Sequence, residues 1–397
     1  MPTLTFEKNQ AIARLMRFLA VEGITGQEHA IGADVVRALR EIGVPARAIH
    51  FDRAHDKIPL PTQTGNLIVT LPGTRPGPRR LFSTHLDTVP LCAGAVPVRS
   101  GNRIVPQGKT ALGGDNRTGV ACLVTMLAEL YAQKLPHGPL TVLFTVREES
   151  GLWGARSVDP AELGEPELGF NVDGGSPRKI TIGAVGADRW ESEIFGLASH
   201  AGVRPERGIS AAIVAARALT FVHDNGWFGK VHIDGKEGTS NVGPIGDGRG
   251  GPAGQATNVV TDYVKVYGES RSHDVKFIGA ITTAYRKAFQ DAARQVGNDE
   301  GKTAKVKFTS FRSYFPYRLK ENSAVVQQAQ TVAASLGWES ALSTSNGGLD
   351  ANWLVRHGIP AITFGAGQND VHTISEFVHV PDFLDGCAFA LALAAQG

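Results

Sequence analysis

What most constrains the fold of this chain is a set of strand-like apolar runs, at residues 66–71, 80–84, 140–146 and 168–172, with helical spacing between them. A strand that is apolar along its length is covered on both faces, and helices usually do the covering. The runs therefore read as a largely parallel sheet in an α/β layer. Residues 5–43 carry apolar side chains at helical intervals (Ile12, Leu15, Met16, Leu19, then Val35, Val36, Leu39), which predicts two amphipathic helices broken near 23–26. A further helical run covers 118–132.

The pattern changes after Gly186. Alternating segments at 189–197, 258–269 and 305–310, with helices at 209–223 and 275–295, describe an α+β module with an antiparallel sheet. The chain then returns through a helix at 323–336, a buried strand at 361–364 and a last helix ending near Ala395. The expected architecture is an α/β domain with a mostly parallel mixed sheet flanked by helices, residues 1–186 and 317–397, carrying an inserted α+β domain, residues 187–316. A chain of 397 residues also exceeds what one hydrophobic core usually fills.

Composition narrows the function classes. Hydrophobic residues at 42% and charged residues at 20% describe a globular chain, and a formal charge of +2 gives no reason to expect nucleic acid or an anionic membrane as partner. Cys92, Cys122 and Cys387 are odd in number and form no CxxC, which argues against a disulfide framework or a thiolate zinc site. Residues 1–10 lack the apolar core of a signal peptide, and the longest apolar stretch, 388–395, is too short to span a bilayer. A cytoplasmic location is expected by elimination.

Five pieces fall at predicted strand ends or in the loops after them, where open α/β sheets bind ligands: His85-Leu86-Asp87, Asp115, Glu148-Glu149, Asp173 and His372. Each has a bland reading. In His85-x-Asp87 both side chains point the same way, because strand periodicity is two, and such a pair is often only structural. Its other use is a carboxylate fixing the tautomer of a metal-ligating imidazole. Asp115, between Gly113-Gly114 and a helix start, reads as a helix N-cap or as a carboxylate bridging two cations. Asp173, before Gly174-Gly175, reads as a turn-former, and His372 alone would be unremarkable.

Glu148-Glu149 is more specific. The apolar, glycine-rich turn at 150–154 disfavours free solvation, and neighbouring carboxylates repel unless a cation or a proton intervenes. One glutamate on a metal with its neighbour free as general base is a natural division of labour. Together the pieces supply two histidines, three ligand carboxylates and a spare glutamate. Nitrogen and oxygen ligands without sulfur suit a pair of zinc, cobalt or manganese ions.

These residues resemble the co-catalytic zinc peptidase family that includes peptidase T, carboxypeptidase G, aminoacylase-1 and the succinyl-diaminopimelate desuccinylases. The likeness spans essentially the whole chain. It is carried by residues 85–89, 112–119, 148–151 and 371–373, and in the inserted module by 199–202 and 258–274. It implies one cation held by His85, Asp115 and Asp173 and a second held by Asp115, Glu149 and His372, zinc being the first choice for both. Asp87 would orient His85, and Glu148 would take a proton from the bridging water and pass it to the leaving amine.

The inserted module would be a lid or dimerisation domain, with His200 stabilising the oxyanion, often in a dimer partner's site. Asn258 and Arg271 would hold the substrate carboxylate, and Gly347-Gly348 would line the substrate backbone. Asp173, where many branches carry Glu, and the run 268–274 resemble the peptidase T branch. The implied activity is therefore that of an aminopeptidase or tripeptidase on short peptides. The rivals are an N-acyl amino acid amidohydrolase or a dipeptidase on the same scaffold, a two-metal phosphoesterase, and a non-catalytic metal-binding homologue. One departure is Asn116, where the family often has a second acid joined by a cis peptide bond.

Two other motifs mislead. Residues 246–251 satisfy GxGxxG, but Pro252 follows and no βαβ unit surrounds them. Gly108-Lys109-Thr110 ends like a P-loop, yet the required upstream glycine position holds Arg103.

Overall fold

The computed structural model describes residues 5–396, so the first four residues of the N-terminal stretch considered above lie outside it. The chain forms two compact units, one running up to Ala184 and resuming at Arg318, the other comprising Val185–Tyr317.

The first unit is built on a nine-stranded sheet. Its centre is parallel: Leu140–Thr145, Arg80–His85, Leu168–Val172 and Ala361–Phe364 lie side by side in that order. Every residue of Arg80–His85 and Leu140–Thr145 is buried, as expected for strands covered on both faces. Antiparallel strands Leu67–Leu71 and Ile49–Phe51 extend one edge. Lys179–Ala184, with Ala341–Ser345 parallel to it, extends the other. The sheet is thus mixed and mostly parallel at its core, as the apolar runs predict.

Helices Lys8–Leu19, His29–Glu41, Gly114–Ala132, Ala324–Ser335 and Val380–Ala395 pack around this sheet and share its hydrophobic core. The most buried is Gly114–Ala132, which lies close against Arg80–His85. A Cβ at Gly119 would sit 2.1 Å from Thr84 Oγ1, so only glycine allows that approach. The apolar stretch at 388–395 is the buried end of the last helix. Among the described residues, no helix is long and apolar enough to cross a membrane.

The second unit is an antiparallel sheet in the order Gly229–Ile233, Lys236–Gly246, Tyr263–Ser272, Gly186–Phe195, Lys305–Tyr314. Helices Ala211–Asp224 and Val275–Gln295 pack on it, around a core that contains Trp190, Tyr285 and Phe289. Side chains cap both helices: Ser210 accepts from the Ile213 N–H, and Asp274 from those of Lys276 and Phe277. The GxGxxG look-alike is the end of a strand and the turn after it. Asp247 Oδ1 accepts the N–H groups of Arg249 and Gly251, and no helix follows.

Candidate metal centre

The parallel strands deliver the candidate residues from their carboxyl ends, the usual ligand-binding edge of an open α/β sheet. His85 is the last residue of Arg80–His85. Glu148 and Glu149 follow Leu140–Thr145 in a turn where Arg147 and Leu152 adopt positive φ. Asp173 follows Leu168–Val172, its N–H donating to the Phe364 carbonyl at 2.8 Å. Asp115 stands at the start of Gly114–Ala132, and the bond joining it to Asn116 is cis. His372 lies in the loop between strands Gln368–Asn369 and Phe377–His379, at φ 64°.

These side chains converge. Asp115 presents Oδ1 to His85 Nε2 at 3.1 Å and Oδ2 to His372 Nε2 at 3.3 Å. Glu149 Oε1 lies 2.9 Å from the same His372 nitrogen. Ligand atoms of His85, Asp115 and Glu149 all lie within 4.8 Å of one another, as do those of His85, Glu148 and Asp173. Glu148 therefore sits closer to the ligand set than a merely adjacent base need do.

Asp87 does something the sequence does not show. His85 Nδ1 is nearer the Asp87 backbone carbonyl, at 3.0 Å, than its carboxylate, at 3.4 Å. The carboxylate instead accepts the N–H of Glu148 at 3.0 Å and that of Glu149 at 3.1 Å. One residue thus steadies both the imidazole and the glutamate turn.

The electrostatics of the cluster are those of crowded acids held by imidazoles alone. Among the described residues, none of Asp115, Glu148, Glu149 and Asp173 has an ion pair with lysine or arginine; Asp115 and Glu149 pair only with histidine. Burial, reinforced by Glu149 and Asp173, pushes Glu148 well above the usual carboxylate range against the pull of His85. Burial and the Asp115 charge push Asp173 the same way, and they bring Glu149 to about 7. Burial would raise Asp115 too, but the two imidazoles outweigh it and hold that carboxyl well below its ordinary value. Burial pulls the His85 imidazole down, yet Glu148, Asp115 and Asp87 together hold it well above normal. Asp115 and Glu149 lift His372 to about 10. Crowded acids that raise one another in this way fit cationic ligands, and the donor set of imidazole and carboxylate without thiolate fits divalent ions such as zinc, cobalt or manganese.

Asn116 is hydrogen-bonded through both ends of its amide. Its amide N–H donates to the Val172 carbonyl at 2.7 Å, and its oxygen accepts from the Gly119 N–H at 3.0 Å and Gln368 Nε2 at 2.8 Å.

Three further buried acids surround the cluster and are not legible in the sequence. Glu376 accepts the N–H groups of Leu112, Gly113 and Asp115. Asp350 accepts from the Thr145 hydroxyl, and burial lifts it to about 6. Glu28 accepts the N–H of Gly26 at 2.6 Å and of Arg147 at 3.1 Å.

The remaining sequence candidates lie elsewhere. Gly347-Gly348 are in the first unit, between strand Ala341–Ser345 and helix Asp350–Arg356. His200, Asn258 and Arg271 belong to the second unit. There His200 and Asn258 are neighbours: the Ala201 N–H donates to the Asn258 carbonyl at 2.9 Å, and His200 bridges to Val259. Arg271 lies on Tyr263–Ser272, paired with Glu269 at 2.8 Å.

Known proteins share this arrangement of chain. The Peptidase family M20/M25/M40 model matches residues 81–396. An uncharacterized protein of Bacillus subtilis strain 168, YqjE, is 31% identical over 333 residues, covering 84% of each chain. Peptidase T of Escherichia coli K12 is 24% identical over 360 residues, covering 80% of this chain and 82% of that one. Among solved structures, a tripeptidase from Staphylococcus aureus Mu50 superposes with a TM-score of 0.85 at 27% identity, covering 98% of both chains. The aminopeptidase PepT from Bacillus cereus gives 0.81 at 28%, covering 98% of this chain and 99% of its own. The chain belongs to peptidase family M20/M25/M40.

Proposed function

We propose that this peptidase is an aminopeptidase of the tripeptidase type, which removes the N-terminal residue from short peptides with the help of two divalent cations. The observation that carries the reading is Asp115, whose two carboxylate oxygens each face a different imidazole, His85 and His372. A carboxylate so placed is suited to sharing itself between two cations. His85 and Asp173 would complete one site, and Glu149 and His372 the other. Zinc is the first choice, with cobalt and manganese as alternatives. Bound there, the ions would supply Lewis-acid polarisation of the scissile carbonyl and lower the pKa of an attacking water.

The protein's own groups would do the rest. Glu148, buried and, among the described residues, without a lysine or arginine ion pair, is placed to take the proton from the attacking water and deliver it to the leaving amine. Asp87 holds the N–H groups of both glutamates, which fixes the base relative to its neighbour. In the second unit, proposed as a lid and dimerisation domain, His200 would stabilise the oxyanion and Asn258 and Arg271 would bind the peptide, as would the Gly347-Gly348 loop of the first unit. The aspartate at 173 and the likeness to peptidase T and to a tripeptidase support the peptide reading over N-acyl amino acids. The balanced charge supports a small substrate rather than nucleic acid or a membrane surface, and a cytoplasmic enzyme is the matching proposal.

The test is an activity panel on metal-stripped protein resupplied with zinc, cobalt or manganese, using tripeptides, dipeptides and N-acyl amino acids. Release of the N-terminal residue from tripeptides is the expected result. Hydrolysis of N-acyl amino acids with no action on tripeptides would overturn the reading. Mixing His200→Ala with Glu148→Ala chains should restore part of the activity if His200 serves a partner's site.

A further inference from the structure

Asn116 caps the regular helix that follows it, its Oδ1 accepting the Gly119 N–H at 3.0 Å, but Asp115 and Asn116 themselves are not helical. Gly113, two residues before Asp115, is left-handed at φ 81° and has no side chain to offer the neighbouring N–H groups. Asp115 itself, which the sequence allows as an N-cap, turns both oxygens to imidazoles instead. The backbone N–H groups of residues 112, 113 and 115 lie outside the regular helix and need acceptors of their own, and one carboxylate from far along the chain takes all three. Glu376 Oε2 accepts from Leu112 at 2.7 Å and Gly113 at 2.9 Å, and Oε1 accepts from Asp115 at 3.0 Å.

Two details make this more than a convenient acceptor. The approach is close: a Cβ at Gly114 would lie 3.2 Å from Glu376 Oε1 and 2.8 Å from Val378, so a side chain there would push against the carboxylate and the valine. Glu376 also belongs to the segment that carries His372, and its own N–H is tied to the Thr373 carbonyl at 3.1 Å. Asp115 is therefore gripped twice by one stretch of chain, at its backbone by Glu376 and at its Oδ2 by His372.

We infer that Glu376 is a positioning residue for the metal centre, locking residues 112–115 so that the Asp115 carboxylate keeps one oxygen toward His85 and the other toward His372. This rests on the reading of Asp115 as the residue shared between two cations. Loss of the lock leaves every ligand present and lets the shared one swing. Outer partners of metal ligands typically affect affinity or activity by about 10–100-fold.

The experiment compares wild type, Glu376→Gln and Glu376→Ala as full-length chains, stripped and reloaded with cobalt(II). Read-outs are the visible d–d absorption, cobalt retention against a chelator, and kcat and KM on a tripeptide. In Glu376→Ala the inference expects a changed cobalt spectrum, cobalt retention weaker by about 10–100-fold, and kcat lowered by about the same factor with KM nearly unchanged. Glu376→Gln keeps the volume and one acceptor oxygen, so it should fall between the two. It also decides the matter if Glu376→Ala does not fold. A wild-type cobalt spectrum and wild-type retention in Glu376→Gln, or in a folded Glu376→Ala, would overturn the inference. If wild type itself took up no cobalt, the shared-ligand reading would fail first, and this inference with it.

Discussion

His372 and Glu149, 223 residues apart in sequence, meet with Nε2 2.9 Å from Oε1. Neither is on the same strand or helix as the other, and a third group, Asp115, shares the imidazole. Such a meeting serves no evident structural purpose, because His372 lies in an irregular loop and is half exposed. If it marks one of two cation sites, His372→Ala should lower bound metal from two ions towards one per chain, with the site at His85 and Asp173 still filled. Elemental analysis of purified, dialysed protein reads this directly. Unchanged stoichiometry would contradict the ligand role.

Proton release provides an independent check. Without cations, Asp115 and Glu149 hold the His372 imidazole at about 10, so near neutral pH it carries a proton on the nitrogen a metal would need. Metal uptake must displace that proton, and affinity should rise with pH until the imidazole is neutral on its own. Titrating zinc into stripped protein in weak buffer at about pH 7.5 should release about one proton from this group, with more from the raised Glu148 and Asp173 carboxyls. The same titration of His372→Ala should release about one fewer. A release of zero in wild type would mean that the cluster does not exchange protons for cations.

Glu148 has two readings that one variant separates. Its oxygen lies within 4.8 Å of ligand atoms on His85 and Asp173, which would suit a ligand, while its burial and raised pKa would suit a general base. As the base, Glu148→Ala should leave metal content nearly intact and lower turnover by ~10² or more. As a ligand, it should lose metal in proportion to activity. Wild-type turnover would refute both.

The long-range bonds explain why some of this was legible in the sequence and some was not. The core strands announce themselves because a strand buried on both faces needs apolar residues throughout, as in Leu140–Thr145. Edge strands carry no such signature. Ile49–Phe51 is short and largely exposed, and Ala341–Ser345 is rich in serine and threonine. Pro97–Ser100 and Arg103–Pro106 likewise pair with no apolar pattern to reveal them. Histidine and paired acids at strand ends stand out by residue type, whereas Glu376, Asp350 and Glu28 look like ordinary surface acids until the fold buries them. The Asp87 carboxylate shows the same limit. Strand alternation places it beside His85, but only the folded turn reveals that it holds Glu148 and Glu149.

Asn116 offers a test of whether this chain has adapted to its amide. The sequence likeness favours an acid here, but the amide nitrogen donates to the Val172 carbonyl at 2.7 Å in a position with no solvent access. Asn116→Asp replaces that donor with an oxygen facing an oxygen, which should cost about 1–3 kcal/mol of stability, more if the new group is charged. Burial and the carbonyl would raise the pKa of the introduced carboxyl. Protonated, it can donate to Val172 as the amide does, so the deficit should be small at low pH and grow as pH rises. Thermal unfolding of metal-free wild type and variant across pH 5 to 8.5 measures the difference. A variant as stable as wild type at the alkaline end would show that the Val172 bond is dispensable, and that the amide at this position is not what the buried pocket selects.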